Sequence, residues 1–273
     1  MIKIEKLNFS FGRKGFALKD IDLQLSGGTY ALLGSNGSGK TTLMKCLIGA
    51  YEYRGKISVQ NKGSVGYLPQ NIDFMRDLTA REMLEYIYSM KGLGKKIDRA
   101  EIDRCLQMTN LTEHSEKKVR SLSGGMLRRL GVAQAILGDP AVIVFDEPTA
   151  GLDPEERMRF KNVIYNLNRD DSKVIIVSTH IVDDVVGNCD KIIILKDGAV
   201  LTVGTEAEIR AAAEGKVFEM PNTHDLPPEL YIEKNMDING IDYVRVLSNT
   251  PIEGAVQKPP TLEDGYLCLI KDI

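Results

Sequence analysis

Cysteine is scarce in this 273-residue chain, and its four copies lie far apart at Cys46, Cys105, Cys189 and Cys268. That spacing matches no metal-ligand pattern and reads as buried or free thiols of a reducing compartment. Long apolar runs are also missing. Ala141 to Phe145 is typical of the longest, far short of the roughly 20 residues a bilayer-crossing helix needs. No signal-peptide core follows Met1, because Met1-Ile2-Lys3-Ile4-Glu5-Lys6 alternates polar and apolar residues as a strand does. The expectation is a cytosolic chain that does not itself cross a membrane. Positive charge is not in excess either: Lys and Arg number 35 against 38 Asp and Glu, for a net charge of −3. No general basic field is present to attract nucleic acid. Repeats and low-complexity segments are absent as well. What remains is 43% hydrophobic and 27% charged residues, an ordinary globular composition. The length allows one large domain, or a domain with a small appendage.

The most informative stretch is Gly34-Ser35-Asn36-Gly37-Ser38-Gly39-Lys40-Thr41-Thr42, which fits the phosphate-loop pattern G-x-x-x-x-G-K-S/T. Thr29 to Leu33 before it reads as a short buried strand. Leu43, Met44, Leu47 and Ile48 after it recur at helical spacing up to Gly49. A strand that enters a glycine loop and leaves as a helix aims backbone N–H groups and a positive helix end at one point, which is an anion site. Gly34, Gly37 and Gly39 permit backbone angles and close approach that a Cβ would block. Lys40 can reach β- and γ-phosphates, and the Thr41 hydroxyl can hold Mg²⁺.

Around the loop the chain alternates. Residues 2–9 and about 18–25 read as an antiparallel pair turning at Gly12 to Gly15. Tyr53 to Val59 and Val65 to Leu68 read as short strands about a turn at Asn61 to Gly63, ending at Pro69-Gln70. A helical block over roughly 75–135 follows. Thr79-Ala80-Arg81-Glu82 is a capping-box pattern, with Met83, Leu84, Ile87 and Met90 on one apolar face. A second helix over about 98–108 turns Ile102, Cys105 and Leu106 inward. Ser123 reads as the N-cap of a helix running to Leu137. Ala141 to Phe145 suits a buried parallel strand. Helix 155–168, strand 174–179, helix 181–188, strands 191–196 and 199–203, and a capped helix from Thr205 to Ala213 complete a mostly parallel sheet covered on both faces. From about Lys216 the composition changes. Prolines and short alternating runs at Val217 to Met220, Tyr243 to Leu247 and Tyr266 to Ile270 indicate a small β-rich appendage.

Hydrolysis is suggested by Asp146-Glu147 at the end of the apolar strand. Strand carboxyl ends share an edge with the phosphate loop in a parallel sheet. Asp146 would support Mg²⁺ through water. Glu147 points elsewhere and can take a proton from water in line with the γ-phosphate.

Ser121-Leu122-Ser123-Gly124-Gly125-Met126 resembles the signature sequence of the ATP-binding cassette family. The surrounding order is similar too: phosphate loop, Gln70, signature, Asp146-Glu147, Gly151-Leu152-Asp153, His180. The resemblance covers about residues 1–215 and implies an α/β phosphate-loop NTPase fold. That fold has a RecA-like core with a mostly parallel sheet, an antiparallel β subdomain and a helical subdomain; residues 216–273 would be the appendage. It also implies head-to-tail dimerisation around two ATP molecules, with Ser123, Gly124 and Gly125 of one subunit covering the γ-phosphate held by Gly34 to Thr42 of the other. Residue by residue, it makes Gln70 a sensor of Mg²⁺ and the attacking water, so that Thr41, Gln70 and Asp146 surround the metal. His180 would contact the γ-phosphate and orient the water–Glu147 arrangement. Asp153 would link the two sites, and Phe11 would stack on adenine. Read alone, Gln70 is an ordinary loop residue and His180 a structural histidine. A core role for Phe11, or stacking by Phe9, stays open.

The signature ends in Met126 where the family more usually has glutamine, and methionine cannot make the same hydrogen bonds. The ending Pro260-Thr261-Leu262-Glu263-Asp264-Gly265-Tyr266-Leu267 is similar to that of ATPase subunits of exporters with separately encoded membrane subunits; a plain hairpin is its rival. The resemblance therefore implies an ATP-hydrolysing subunit of a transporter, of exporter type, on the inner face of the cell membrane. Its partners would be a second such subunit, giving a homodimer, and an integral membrane permease; no nucleic acid is expected. The helical block after Gln70 would dock the permease, with Leu93 and Ile72 as exposed apolar candidates. An importer ATPase, or a soluble cassette ATPase acting on nucleic acid or ribosomes, is the alternative.

Overall fold

The computed structural model describes residues 1–12, 15–59, 65–168, 172–222, 230–238 and 240–273. The expected turn at Asn61 to Gly63 lies outside the described residues, as do Arg13 and Lys14 of the first turn. The chain divides into two compact units, one of Met1–Asp190 with Leu195–Val200, the other of Lys191–Ile194 with Leu201–Ile273.

The first unit opens with a three-stranded antiparallel sheet, ordered β2-β1-β4. It is built from β1 (Ile2–Ser10), β2 (Phe16–Leu25) and β4 (Arg54–Val59). The alternation seen at the start of the chain is real: Ile2, Ile4 and Leu7 are buried. The second sheet is parallel and runs β5-β6-β7-β3. Its strands are β3 (Gly28–Leu33), β5 (Val65–Leu68), β6 (Val142–Phe145) and β7 (Val174–Thr179). Beyond β3 it continues into the Leu195–Val200 turn between β8 (Lys191–Lys196) and β9 (Ala199–Gly204). All four residues of β6 are buried, as the continuous apolar run requires.

Helix α1 (Lys40–Leu47) follows the phosphate loop. The helical block contains α2 (Ala80–Met90) and α3 (Arg99–Met108), and α4 (Gly124–Ile136) follows it. The Thr79–Glu82 capping box forms in both directions, and Ile102, Cys105 and Leu106 are buried. Three sequence-based readings fail in this unit. Met90 is 70% exposed, so the apolar face of α2 stops short of it. Leu93 and Ile72 are half-buried and pack on the core; the exposed apolar residues of this region are Met75, Tyr86, Met90 and Ile97. Residues 181–188 make only a 3₁₀ turn over Val182–Asp184. No side chain caps it, Gly187 takes φ +66°, and β-branched Ile181, Val182, Val185 and Val186 disfavour a helix. The helix expected at 155–168 is present as α5 (Pro154–Asn168), one residue longer because a proline is tolerated at N1.

The second unit has a four-stranded antiparallel sheet ordered β11-β12-β10-β13. Its strands are β10 (Val217–Pro221), β11 (Tyr231–Ile238), β12 (Ile241–Leu247) and β13 (Val256–Gln257), with helices α6 (Glu206–Ala211) and α7 (Leu262–Lys271). The β-rich character is as expected, but Tyr266 to Ile270 is helix rather than strand. Thr261 and Asp264 close a capping box, and Leu262, Gly265 and Cys268 turn inward. A Cβ on Gly265 would lie 2.1 Å from the Ile209 carbonyl oxygen, so only glycine lets α7 approach α6 this closely. Among the described residues no helix is long and apolar enough to cross a membrane.

Candidate functional site

Strand register builds the site. Leu33 pairs with Thr179, Phe145 with Val177, and Leu68 with Phe145. The four strands therefore finish along one edge, where the next residues are Gly34, His180, Asp146 and Pro69.

A Cβ on Gly34 would come within 2.5 Å of the Leu195 carbonyl oxygen, so the loop starts where only glycine fits. Gly37 at φ +84° and Gly39 at φ +107° take the left-handed backbone expected of them. Gly39 is the N-cap of α1 and supplies no side-chain capping bond. The first N–H groups of the helix, which no carbonyl in the helix can satisfy, are thus directed at the loop. Among the described residues Ser38 Oγ, which is buried, has no hydrogen-bond partner. Orphaned donors and a buried hydroxyl around one lysine fit a phosphate group. Ser35 and Asn36 lie in the loop, and Thr42 in the first turn of α1.

Lys40 Nζ is buried; it donates to the carbonyl oxygens of Gly34 at 2.7 Å and Ser35 at 3.2 Å, and lies 3.5 Å from Glu147 Oε1. Burial holds the Lys40 ammonium below the usual lysine pKa, while Glu147 and then Asp146 act in the opposite direction. Asp146 is fully buried. Its Oδ1 accepts from Thr41 Oγ1 at 3.2 Å and Ser178 Oγ at 2.8 Å, and its Oδ2 from the Tyr67 hydroxyl at 3.4 Å. Burial first, then the neighbouring Asp146 charge, pushes the Tyr67 hydroxyl well above the usual tyrosine range, so it stays a donor. A carboxylate beside a hydroxyl at the phosphate loop is the hard-oxygen set that suits Mg²⁺.

Glu147 turns the opposite way because its backbone is left-handed, at φ +49°. Its N–H donates to Ser178 Oγ at 2.9 Å, and its Oε2 lies 2.7 Å from His180 Nδ1. One buried carboxylate thereby spans the loop lysine and the histidine. Phe11, just past β1, is 55% exposed and packs edge-on to Phe9 at 4.8 Å. Phe9 itself is stacked on Tyr51 at 4.9 Å, which leaves Phe11 as the exposed ring of the cluster.

Gln70, Gly124, Gly125 and Asp153 line a different recess, together with Asn71 and Arg128. Ser123 Oγ caps α4 by accepting from the Met126 N–H at 3.2 Å. Asp153 Oδ1 caps α5 by accepting from the Glu156 N–H at 2.9 Å. Among the described residues no hydrogen bond or ion pair joins Ser123, Gly124, Gly125 or Asp153 to the phosphate loop. The Lys40–Asp146–Glu147–His180 cluster and the Ser123–Gly125 turn thus occupy separate places on one chain. Sequence reasoning missed Arg128, Ser178, Tyr67 and Tyr51. The available signals were a cation inside the apolar stretch of α4, and the polar pair Ser178-Thr179 ending an otherwise apolar strand.

A family model described as ABC transporter matches residues 18–150. An uncharacterised ABC transporter ATP-binding protein of Synechocystis is 38% identical over 225 residues, 78% of this chain and 63% of that protein; the chain therefore spans less than two thirds of it. Nod factor export ATP-binding protein I of Burkholderia orbicola is 32% identical over 269 residues, covering 89% of this chain and 88% of that one. The energy-coupling factor transporter ATP-binding protein of Ligilactobacillus salivarius is 31% identical over 257 residues, 84% and 89%. A dimeric, post-hydrolysis ATP-binding cassette bound to ADP and phosphate superposes with a TM-score of 0.67 at 26% identity, over 75% of this chain and 98% of that one. The chain belongs to the ABC transporter family, among its ATP-binding proteins.

Proposed function

We propose that this chain is the ATP-binding and ATP-hydrolysing subunit of a membrane transporter, working as a head-to-tail homodimer around two ATP molecules. The reading keeps residues 1–215 as the ATP-binding domain, with a helical part at about 75–135, and 216–273 as an appendage. The observation that carries it is the division just described: Lys40, Thr41, Asp146, Glu147 and His180 meet at one place, while Ser123, Gly124 and Gly125 present a second donor-rich surface elsewhere. A half-site of each kind on one chain is economically explained by two copies, each supplying what the other lacks. The ADP- and phosphate-bound dimer of the related cassette supports this arrangement.

In this reading the loop N–H groups from Gly34 to Thr42 and Lys40 bind the phosphates, and Phe11 stacks on the base. Thr41 and Asp146 would hold Mg²⁺, which would supply charge compensation to the phosphates; Gln70, which lines the neighbouring recess, would have to reach the metal from there, through water. Glu147 takes a proton from water as the water oxygen bonds to the γ-phosphorus and the β–γ bridging P–O bond breaks, releasing ADP and phosphate. His180 orients Glu147 through the 2.7 Å contact. Ser123, Gly124 and Gly125 cover the γ-phosphate of the partner, and Asp153 connects the two sites.

Relatives of similar identity serve different transporters, so export rests on the exporter-like ending from Pro260 to Leu267. A separate permease, docked on the helical block, would hold the chain at the inner membrane face. The test is ATP turnover by the purified chain across a dilution series, with Lys40→Ala as control, and recovery of membrane proteins captured with it in mild detergent. Turnover that falls on dilution below the dimer constant, with a co-purifying permease, is expected. Full-speed turnover by a strict monomer would overturn the dimer, and uptake rather than efflux by the complex would overturn the export part.

A further inference from the structure

We propose that Arg128 is a positioning residue that sets the backbone carrying Gln70 and Glu147 at the same time. The proposal rests on the ATPase reading of the site and assigns a residue that touches neither phosphate nor water.

Arg128 lies on α4, five residues beyond the Ser123 cap, and its side chain is buried. Its guanidinium has five N–H donors, and the surrounding chain presents five carbonyl oxygens to them. Nε donates to Pro148 at 2.8 Å, and Nη1 to Pro69 at 3.2 Å and Gln70 at 2.8 Å. Nη2 donates to Asp146 at 3.1 Å and also to Glu147. Among the described residues no carboxylate is hydrogen-bonded to it. Burial presses its pKa down, opposed by the charges of Asp146 and Glu147. An arginine that forgoes a carboxylate for carbonyls of two turns is bound to the path of those turns.

The consequence falls on Glu147. A non-glycine residue at positive φ persists where neighbours over-determine it. Here the Glu147 N–H is fixed by Ser178 Oγ and its carbonyl by Arg128. Both ends of the residue are tied, and that left-handed turn sends its carboxylate to Lys40 and His180 rather than beside Asp146. The bonds to Pro69 and Gln70 place the second turn from the same guanidinium. The planar fork matters more than the charge, because lysine offers three donors at one point.

Arg128→Met and Arg128→Lys test this, with Glu147→Gln as reference. Misplacing a reacting group by about 1 Å can cost roughly 100-fold, so Arg128→Met should lower kcat by at least about ten-fold, with ATP affinity within about three-fold of wild type. Arg128→Lys should fall between the two. Amide exchange should quicken at residues 69–71 and 146–149 in Arg128→Met and not at the phosphate loop. Wild-type kcat in a folded Arg128→Met protein overturns the proposal, as does unchanged exchange at those turns or a loss of affinity as large as the loss of kcat. If Arg128→Met does not fold, wild-type kcat or unchanged exchange in Arg128→Lys overturns it. A wild-type chain that binds but never hydrolyses ATP sinks the ATPase reading instead, and the exchange measurement then decides the positioning role by itself.

Discussion

Replacing Glu147 by glutamine separates chemistry from binding. The amide has the carboxylate's shape, so the pocket between Lys40 and His180 keeps its packing. Glutamine cannot accept the water's proton at neutral pH. A positioned general base contributes about 10²–10⁴-fold, so at about 1.4 kcal/mol per decade the barrier should rise by about 3–5 kcal/mol. The ground state should change in the opposite direction. Glu147 Oε1 lies 3.5 Å from Lys40 Nζ, with both groups buried. At an effective dielectric of about 20 that pair is worth about 5 kcal/mol of Coulomb energy before desolvation is counted. A terminal phosphate must share Lys40 with this internal anion. Lys40 also keeps its bonds to Gly34 and Ser35, so only part of the pair energy is released on substitution. A gain of about 1–2 kcal/mol, or about 5–30-fold tighter ATP binding, is expected.

Nucleotide titration, phosphate release and size-exclusion chromatography with ATP and Mg²⁺ read these quantities separately. Glu147→Gln should bind ATP more tightly, release little phosphate and accumulate as a dimer. Wild-type turnover in this variant would place the base elsewhere. Weaker ATP binding would show that Glu147 supports Lys40 rather than competing with substrate for it.

Other expectations concern the base pocket and the second unit. Phe11→Ala should cost about 1–3 kcal/mol of nucleotide affinity, the range for aromatic–base stacking, while Phe11→Tyr stays near wild type by fluorescence titration. In the second unit, Arg245 bonds Asp264 at 2.7 Å, Glu219 at 3.0 Å and the Pro259 carbonyl at 3.0 Å, with Glu233 Oε2 3.1 Å from its Nε. Asp264 is fully buried, so Asp264→Ala should destabilise that unit by about 3–5 kcal/mol in urea unfolding followed by circular dichroism, with ATP affinity preserved. Burial first, then the adjacent Asp264, pushes the Glu233 carboxyl up to about 8. The folded chain thus keeps a proton that the unfolded chain sheds from about pH 4.5 upward, so stability from this group falls as pH rises to about 8. Burial works against it, but the hydrogen bond from Arg245 holds Asp264 below the usual carboxylate range, and Arg245 itself is raised, so neither titrates in that window. Melting temperature should decline from pH 6 to 9 in wild type and less steeply in Glu233→Gln; equal slopes would refute the assignment.

Where the chemistry is local, the sequence was a sufficient guide. The run ending in Asp146 is a fully buried strand. Thr79 and Thr205 each close the capping boxes that their spacing with Glu82 and Glu208 implies. Where local signals compete, reading by pattern went astray. Tyr266 to Ile270 alternates like a strand, yet the Thr261–Asp264 box starts a helix there, and the stacking of Gly265 on Ile209 holds it. Conversely, the segment after His180 has helical spacing, but β-branched residues and Gly187 leave it one turn of 3₁₀ helix.

Two of the residues that went unread share a physical feature. Arg128 and, in part, Ser178 act on backbone groups, through five carbonyls and one N–H. Backbone acceptors carry no sequence identity, so no spacing rule connects Arg128 to positions 69, 70, 146, 147 and 148. Side chains that meet substrate are constrained by a ligand of fixed shape, and that constraint produces a motif. Side chains that meet the backbone are constrained by the fold, which any residues of suitable size can supply. The groups proposed to bind phosphate were therefore legible in one dimension. The groups that aim Glu147 become visible only once the parallel strands have brought their carboxyl ends to one edge.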